Sequence, residues 1–506
     1  MPSFTQIPSQ LRVPLFWAEV DASAANSGGG ENPKTILVGQ KLAAGTATAN
    51  LAVYVTSEAL AQTLFGFGSE LHRMFLAYVK QDPLGEVWAM PIADAAGTNA
   101  SLSLTVTGPA TENGTIPLYL AGRLVSVPVT SGNTAATLVT AIVAAITTSL
   151  EPLGVTAADG AGDTVDLTHA HDGTCGNSFD VRACYLGAAG GERLPAGVGI
   201  TAGGNSIVST PTTLASGATD PSHETAITNL GDEPFDYMVL GLPTVTVLAA
   251  FEAELADRWT ALKQVYSLAF TAIRGNSGAL LSLGGARNSP YVSTLGYDLV
   301  PSCNSEMAAA YAGASARELK ADPARPLQTV ALEGVLVPRI GDVFTASVRN
   351  TLLFAGISCA HSTGGAFRIT AAITSYRVNA GGNADDSYLY VETLATLRYV
   401  LRYLRSRIES KYPRSKLAND GTRFASGQAI VTPSIVRGEM VAAYLDLQEI
   451  GLVENVDAFI ENLIVQRSST NPSRLEVLYP PDLVNGLRIF ALLMQFRQQY
   501  STRASA

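Results

Sequence analysis

Residues 489–496 constrain this chain more than any other stretch. They read Ile489, Phe490, Ala491, Leu492, Leu493, Met494, Gln495 and Phe496. An extended backbone sends alternate side chains to opposite faces, so Phe490, Leu492, Met494 and Phe496 share one face, and Ile489 and Leu493 add apolar surface to the other. The pattern predicts a strand buried on one face throughout and on both faces over its first half. Burying four such side chains is worth roughly 6–12 kcal/mol, at about 1.5–3 kcal/mol each. A segment near a chain end is usually polar and frayed unless something ties it down. Something must receive this strand: a sheet of its own chain, or the edge of a sheet in another. Leu11, Val13, Leu15 and Trp17 alternate in the same way, with Pro14 confining that strand to an edge or a bulge.

The 506 residues set a prior of about three domains. With 47% hydrophobic and 15% charged residues, the core is large and polar surface is sparse. A subunit covered by copies of itself has this composition, and so does an Ala- and Gly-rich enzyme. The net charge of −10 argues against general nucleic-acid binding. The first residues lack a basic region followed by an apolar core, and residues 138–146 are too few to span a bilayer, so the expectation is a soluble chain without membrane insertion. Cys175, Cys184, Cys303 and Cys359 have no paired spacing, which fits reduced thiols better than disulfides or a metal site.

Two helices are expected early, one starting near Ser57 and one running from Ser69 to Lys80, with Gly66, Phe67 and Gly68 as the break between them. Gly and Thr then rise over residues 96–204, where short strands at 101–107, 117–120, 124–129 and 164–168 surround a helix over 134–150. This reads as an inserted β-rich β-β-α-β domain. Over 205–379, strands at 237–240, 267–271, 280–283 and 367–376 alternate with a helix at 251–264, which favours an α/β layer structure. A long helix over 387–411 carries one apolar stripe of Leu394, Leu397, Leu401, Leu404 and Ile408. Arg398, Arg402 and Arg405 lie about 100° round from it, and Arg407, Lys411, Arg414 and Lys416 extend the positive run with only Glu409 to interrupt it. That face is either solvated or a docking surface for an acidic partner. A second helix is expected over 434–450. Strands over 457–467 and 473–479 then form a hairpin, a natural acceptor for an added strand.

Residues able to carry chemistry are few. His169, His171 and Cys175 sit in what reads as a Gly-rich loop, where a solvated or capping role outweighs metal binding. Phosphate-binding, zinc-protease and nucleophile-elbow motifs are absent, so no catalytic, cofactor or metal residues are assigned and enzymatic activity is not expected.

A set of short segments in a fixed order carries a family resemblance. They are Ile7 and Pro8; Arg12, Val13 and Pro14; residues 65–69; 321–324 with 326–329; 373–376; 385–416; 430–433; and 471–474 through 479–485. Together they resemble the contractile tail sheath proteins of Mu-like bacteriophages over nearly the whole length. The resemblance implies an α/β (α+β) multidomain fold: a core with a mixed sheet flanked by helices, the inserted domain, and extended N- and C-terminal arms that complete a sheet in neighbouring subunits. It divides the chain into an N-terminal arm (1–20), a first core part (21–95), the inserted outer domain (96–204), an α/β domain of subtilisin-like layout without a triad (205–379), an inner domain facing the tube (380–481) and a C-terminal arm (482–506).

The resemblance also implies roles. Subunits form stacked six-membered rings, a homo-oligomeric helical polymer around a tail tube, bounded by baseplate and tail terminator proteins. Contraction drives the tube through the host envelope for genome ejection. The subunit belongs to the virion, assembled in the host cytoplasm. The donated strands would hold Leu11, Val13, Leu15 and Trp17, and Ile489, Phe490, Leu492, Met494 and Phe496. The acceptor hairpin would hold Leu463, Val465, Leu475 and Val477, and Arg398, Arg402, Arg405 and Lys411 would face the tube. A phage-derived bacteriocin or injection-machine sheath is the alternative within this class. A soluble hydrolase with a subtilisin-like core is the alternative outside it, and would show compact particles instead of striated cylinders by negative stain.

Overall fold

The computed structural model describes residues 33–425 and 427–498. The expected strand at Leu11, Val13, Leu15 and Trp17 lies outside the described residues. The chain divides into two compact units, 33–395 with the segment after 484, and 396–484.

An eight-stranded sheet organises the larger unit. Its strands run in the order Ala366–Ala371, Ser358–Thr363, Val292–Tyr297, Leu268–Arg274, Tyr237–Leu240, Lys34–Lys41, Glu86–Ala93 and Val53–Tyr54. The inner pairings are parallel and the two outermost antiparallel. Parallel strands covered on both faces must be apolar throughout, and Ile36, Leu37, Val38 and all of Tyr237–Leu240 are buried. Alternation divides them between two cores. Leu37, Tyr237 and Val239 pack with helices Glu70–Gln81 and Asn304–Ala321, whereas Ile36, Val38, Met238 and Leu240 pack with helix Val245–Arg258. Asn304–Ala321 is rich in Ala, which lets helix Glu70–Gln81 approach closely. A Cβ added at Gly313 would meet Tyr78 O and Gln81 Cβ, each at 2.9 Å.

The expected early helices are Glu58–Phe65 and Glu70–Gln81, capped by Ser57 and Ser69. Gly66 and Gly68 between them take left-handed φ of 89° and 76°. The run 280–283, expected as a strand, lies instead in helix Ser277–Gly285. Short apolar runs do not separate the two periods, and Asn276 decides the matter by accepting from Ala279 N at 2.9 Å.

Between strands Glu86–Ala93 and Tyr237–Leu240 the chain builds two antiparallel sheets. One orders Asn205–Ser206, Gly199–Ala202, Asn99–Thr107, Thr164–Asp172 and Val155–Gly160; the other orders Thr212–Thr213, Asp180–Ala183, Gly114–Leu120 and Arg123–Val129. Helix Ala135–Thr147 contributes Leu138, Val139, Ile142 and Ile146 to their shared core. In place of the expected β-β-α-β order, three strands precede the helix and two, Val155–Gly160 and Thr164–Asp172, follow it, and then come short strands whose two to four residues leave no readable period.

This insertion is rooted in the larger unit by buried polar groups. Glu306 takes Arg73 Nη1 on Oε1 and Arg123 Nη1 on Oε2, both at 2.9 Å. Asp180 holds Arg182 and Arg274, each at 2.7 Å. His169 and His171 lie on strand Thr164–Asp172 and not on a Gly-rich loop, and both are buried rather than solvated. Strict alternation turns Val165, Leu167, His169 and His171 inward together. His171 nevertheless caps a helix: its Nε2 accepts from Glu70 N at 2.9 Å, while Nδ1 lies 2.8 Å from Asp94 Oδ1.

The smaller unit follows from helix Val391–Lys411, which begins in the larger one. Helices Pro433–Glu449 and Val456–Asn462 and the hairpin Ile464–Arg467 with Leu475–Leu478 complete it. The expected strand over 457–467 is therefore a helix in its first half. Phe459 and Leu463, four apart, are both buried, and Phe459 stacks on Tyr444 with ring centroids 3.8 Å apart.

Candidate functional site: the assembly surfaces

Two turns of local chemistry hold the chain as far as Val484 in the smaller unit. Asp482 N donates to Tyr444 Oη at 3.2 Å, and Glu454 N to Asp482 O at 2.9 Å. Val453 and Leu483 form an antiparallel bridge, and Val484 N donates to Leu452 O at 3.1 Å. Pro480 and Pro481 stiffen the approach.

Beyond residue 488 the chain forms no helix and pairs with no strand among the described residues. The sequence left the receiver open, own chain or another, and no described segment of the subunit receives it. Leu487, Ile489, Phe490, Leu492, Leu493, Met494 and Phe496 each expose between 71% and 84% of their surface. A contiguous row of this kind is far from the scattered single residues of an ordinary surface. Among the described residues no strand pairs with it and these side chains stay open.

The hairpin is a sheet of two strands, pairing Ile464 with Leu478, Val465 with Val477, Gln466 with Glu476 and Arg467 with Leu475. Two strands alone are marginal in water. Neither outer edge has a strand partner among the described residues. Of the four expected acceptor residues, Leu463 is buried just before the first strand, Val465 and Leu475 are half-buried, and Val477 is exposed. Ile464 and Leu478, opposite one another and both exposed, were missed. Their cross-strand register is the signal that pairs them.

The basic helix face is weaker than its sequence implied. Arg398 is buried and so is no part of an exposed patch, while Arg402 is half-buried and Arg405 exposed beside Glu409 at 2.9 Å. Arg407 pairs with Glu439 and Asp446 of the neighbouring helix, and Lys411 Nζ lies 2.7 Å from Glu439. Counting only intrahelical partners missed these acids, which the fold brings from residues 28 to 39 positions away. Glu439 is held below the usual carboxylate range: burial alone would raise it, and the Arg407 and Lys411 contacts outweigh that.

Among the described residues there is no group of three or more His, Cys, Asp or Glu side chains placed to hold a metal ion. No helix among them is long and apolar enough to cross a membrane.

Comparison with known proteins gives a consistent set of relatives. Residues 383–497 match the phage tail sheath C-terminal domain, and residues 216–375 match the phage tail sheath protein central domain. The chain is similar to the Mu-like prophage FluMu tail sheath protein of Haemophilus influenzae, 40% identical over 498 residues, covering 98% of this chain and 99% of that protein. Solved structures similar to it include the sheath tail protein Lin1278 of Listeria innocua, at 14% identity over 92% of this chain and 94% of that one with a TM-score of 0.47. Another is the PVC sheath complex of an extracellular contractile injection system in its contracted state, at 11% identity over 98% and 99% of the two chains with a TM-score of 0.47.

Proposed function

The chain belongs to the phage tail sheath proteins, and on that premise we propose that it polymerises around a tail tube and contracts to drive that tube through a host envelope. The observation that carries this is the segment 489–496, whose large apolar side chains are exposed and pair with no strand among the described residues. Residues 489–496 act as a donated strand, and the hairpin Ile464–Arg467 with Leu475–Leu478 of a sister copy is the acceptor. Main-chain hydrogen bonds supply affinity there, and alternate side chains supply register. Residues 11–17 are a second donated strand. The assembly is a homo-oligomer of stacked rings, flanked by baseplate and terminator proteins, and it forms in the host cytoplasm before becoming part of the virion. Of the expected tube-facing cations, Arg402 and Arg405 contact the tube, Arg398 being buried and Lys411 paired with Glu439.

The two kinds of contact suit a machine that changes shape. Strand addition is directional and strong enough to persist through a rearrangement. Exposed ion pairs are worth about 0–1 kcal/mol each and are screened by salt, so they release readily. A bistable assembly needs both, with contraction driven by the free-energy difference between two packings. Deleting the residues after Pro481 tests the reading. The expected product is a folded subunit that stays dispersed, and normal striated tubes from it by negative stain would refute strand donation.

A further inference from the structure

The donated segment does not begin where the smaller unit ends. Residues 486–488 lie first on the larger unit, across residues 326–328 and 390–392. Gly486 approaches Pro326 so closely that an added Cβ would sit 2.4 Å from Pro326 Cγ. Gln328 Nε2 donates to Leu487 O at 3.0 Å. Arg488 adds contacts through its guanidinium. Its Nη1 and Nη2 reach the two oxygens of Glu392 at 3.4 and 3.3 Å, and its guanidinium carbon lies 3.5 Å from the centre of the Tyr390 ring. Glu392 is itself buried, and its Oε1 also accepts from Leu327 N at 2.7 Å. A forked cation on a buried carboxylate and an aromatic face is specific in direction as well as charge, which a lysine reproduces only in part. Next along the chain, Ile489 and Phe490 are open to solvent.

We infer that Arg488 is a positioning residue for assembly: with Glu392 and Tyr390 it clamps the root of the donated segment, so that a free strand starts at residue 489 with a fixed origin and heading. This rests on the reading of 489–496 as the donated strand. The clamp shortens the loose tether and points it before any sister copy arrives. A shorter tether raises effective concentration roughly as the inverse three-halves power of its length. It also gives the lattice a defined place where pulling on the strand is passed to the N-terminal end of helix Val391–Lys411.

The test uses the full chain with spin labels at Phe490→Cys and Ser387→Cys, read as a distance distribution in dispersed subunits. The clamp predicts a single narrow distribution. It should broaden about twofold in Arg488→Gln and in Tyr390→Leu as the four residues after 484 come loose, and fall between parent and Arg488→Gln in Arg488→Lys, while the melting temperature holds. The critical concentration for tubes should rise about twofold per contact in Arg488→Gln, with tube morphology unchanged. A broad distribution in the parent, or an unchanged one in both Arg488→Gln and Tyr390→Leu, would overturn the clamp. Tubes formed normally by the chain cut after Pro481, alongside a broadened Arg488→Gln distribution, would instead discard strand donation and leave the clamp standing.

Discussion

Leu492→Ala separates assembly from folding more cleanly than any other change. Leu492 exposes 71% of its surface in the subunit, so truncating it removes almost nothing that the folded subunit uses. In a donated strand it shares a face with Phe490, Met494 and Phe496 and is buried in a sister copy. A buried leucine contributes about 1.5–3 kcal/mol by transfer alone, and a cavity adds to the loss. Taking about 2 kcal/mol per contact, the critical concentration for tubes rises about 30-fold. Sedimentation of tubes across a concentration series measures it, and calorimetry of dispersed subunits supplies the control. The expected result is a large shift in assembly with a melting temperature unchanged. A lowered melting temperature with unaltered assembly would mean that the segment packs on its own chain, and the reasoning would fail.

Three further outcomes are expected. Reversing Arg402 and Arg405 to Glu should weaken attachment to the tube by about tenfold or less, with the defect shrinking in high salt; Arg398→Glu should lower the melting temperature instead, because Arg398 is buried. Phe459→Ala removes a ring stacked on Tyr444 and 4.7 Å from that of Tyr479, and should destabilise the smaller unit by about 3–5 kcal/mol in chemical denaturation. Glu306 is held below its ordinary 4.5, because the Arg123 and Arg73 guanidinium charges outweigh the raising effect of burial. Its contribution is therefore present above that value and lost as the pH falls through the lower folded one, so Glu306→Gln should melt earlier at neutral pH and lose less on acidification than the parent. Glu70 runs the other way: burial raises it, so its ionised form opposes folding and its contribution is lost as the pH rises.

What the residues declare by themselves is where they repeat with a period. Caps at Ser57 and Ser69, the stripe of helix Val391–Lys411 and the strand pair beyond Leu463 are local patterns, and the structure has them within a few residues. Two expectations failed where the pattern was too short or ambiguous: the run 280–283, and residues 457–463, where Phe459 and Leu463 already stood at helical spacing. The inward histidines were legible in the alternation of Thr164–Asp172, but their environment was not.

The sequence by itself determined that an apolar strand near residue 490 needs a partner, because hydrophobicity and period two are properties of consecutive residues. Only the tertiary structure decided that no described segment of the subunit pairs with that strand, that Arg398 is buried, and that Glu439 and Asp446 neutralise Arg407 and Lys411. Each of those depends on which distant segments meet, and a charge or an apolar face acquires its role from what stands opposite it in space.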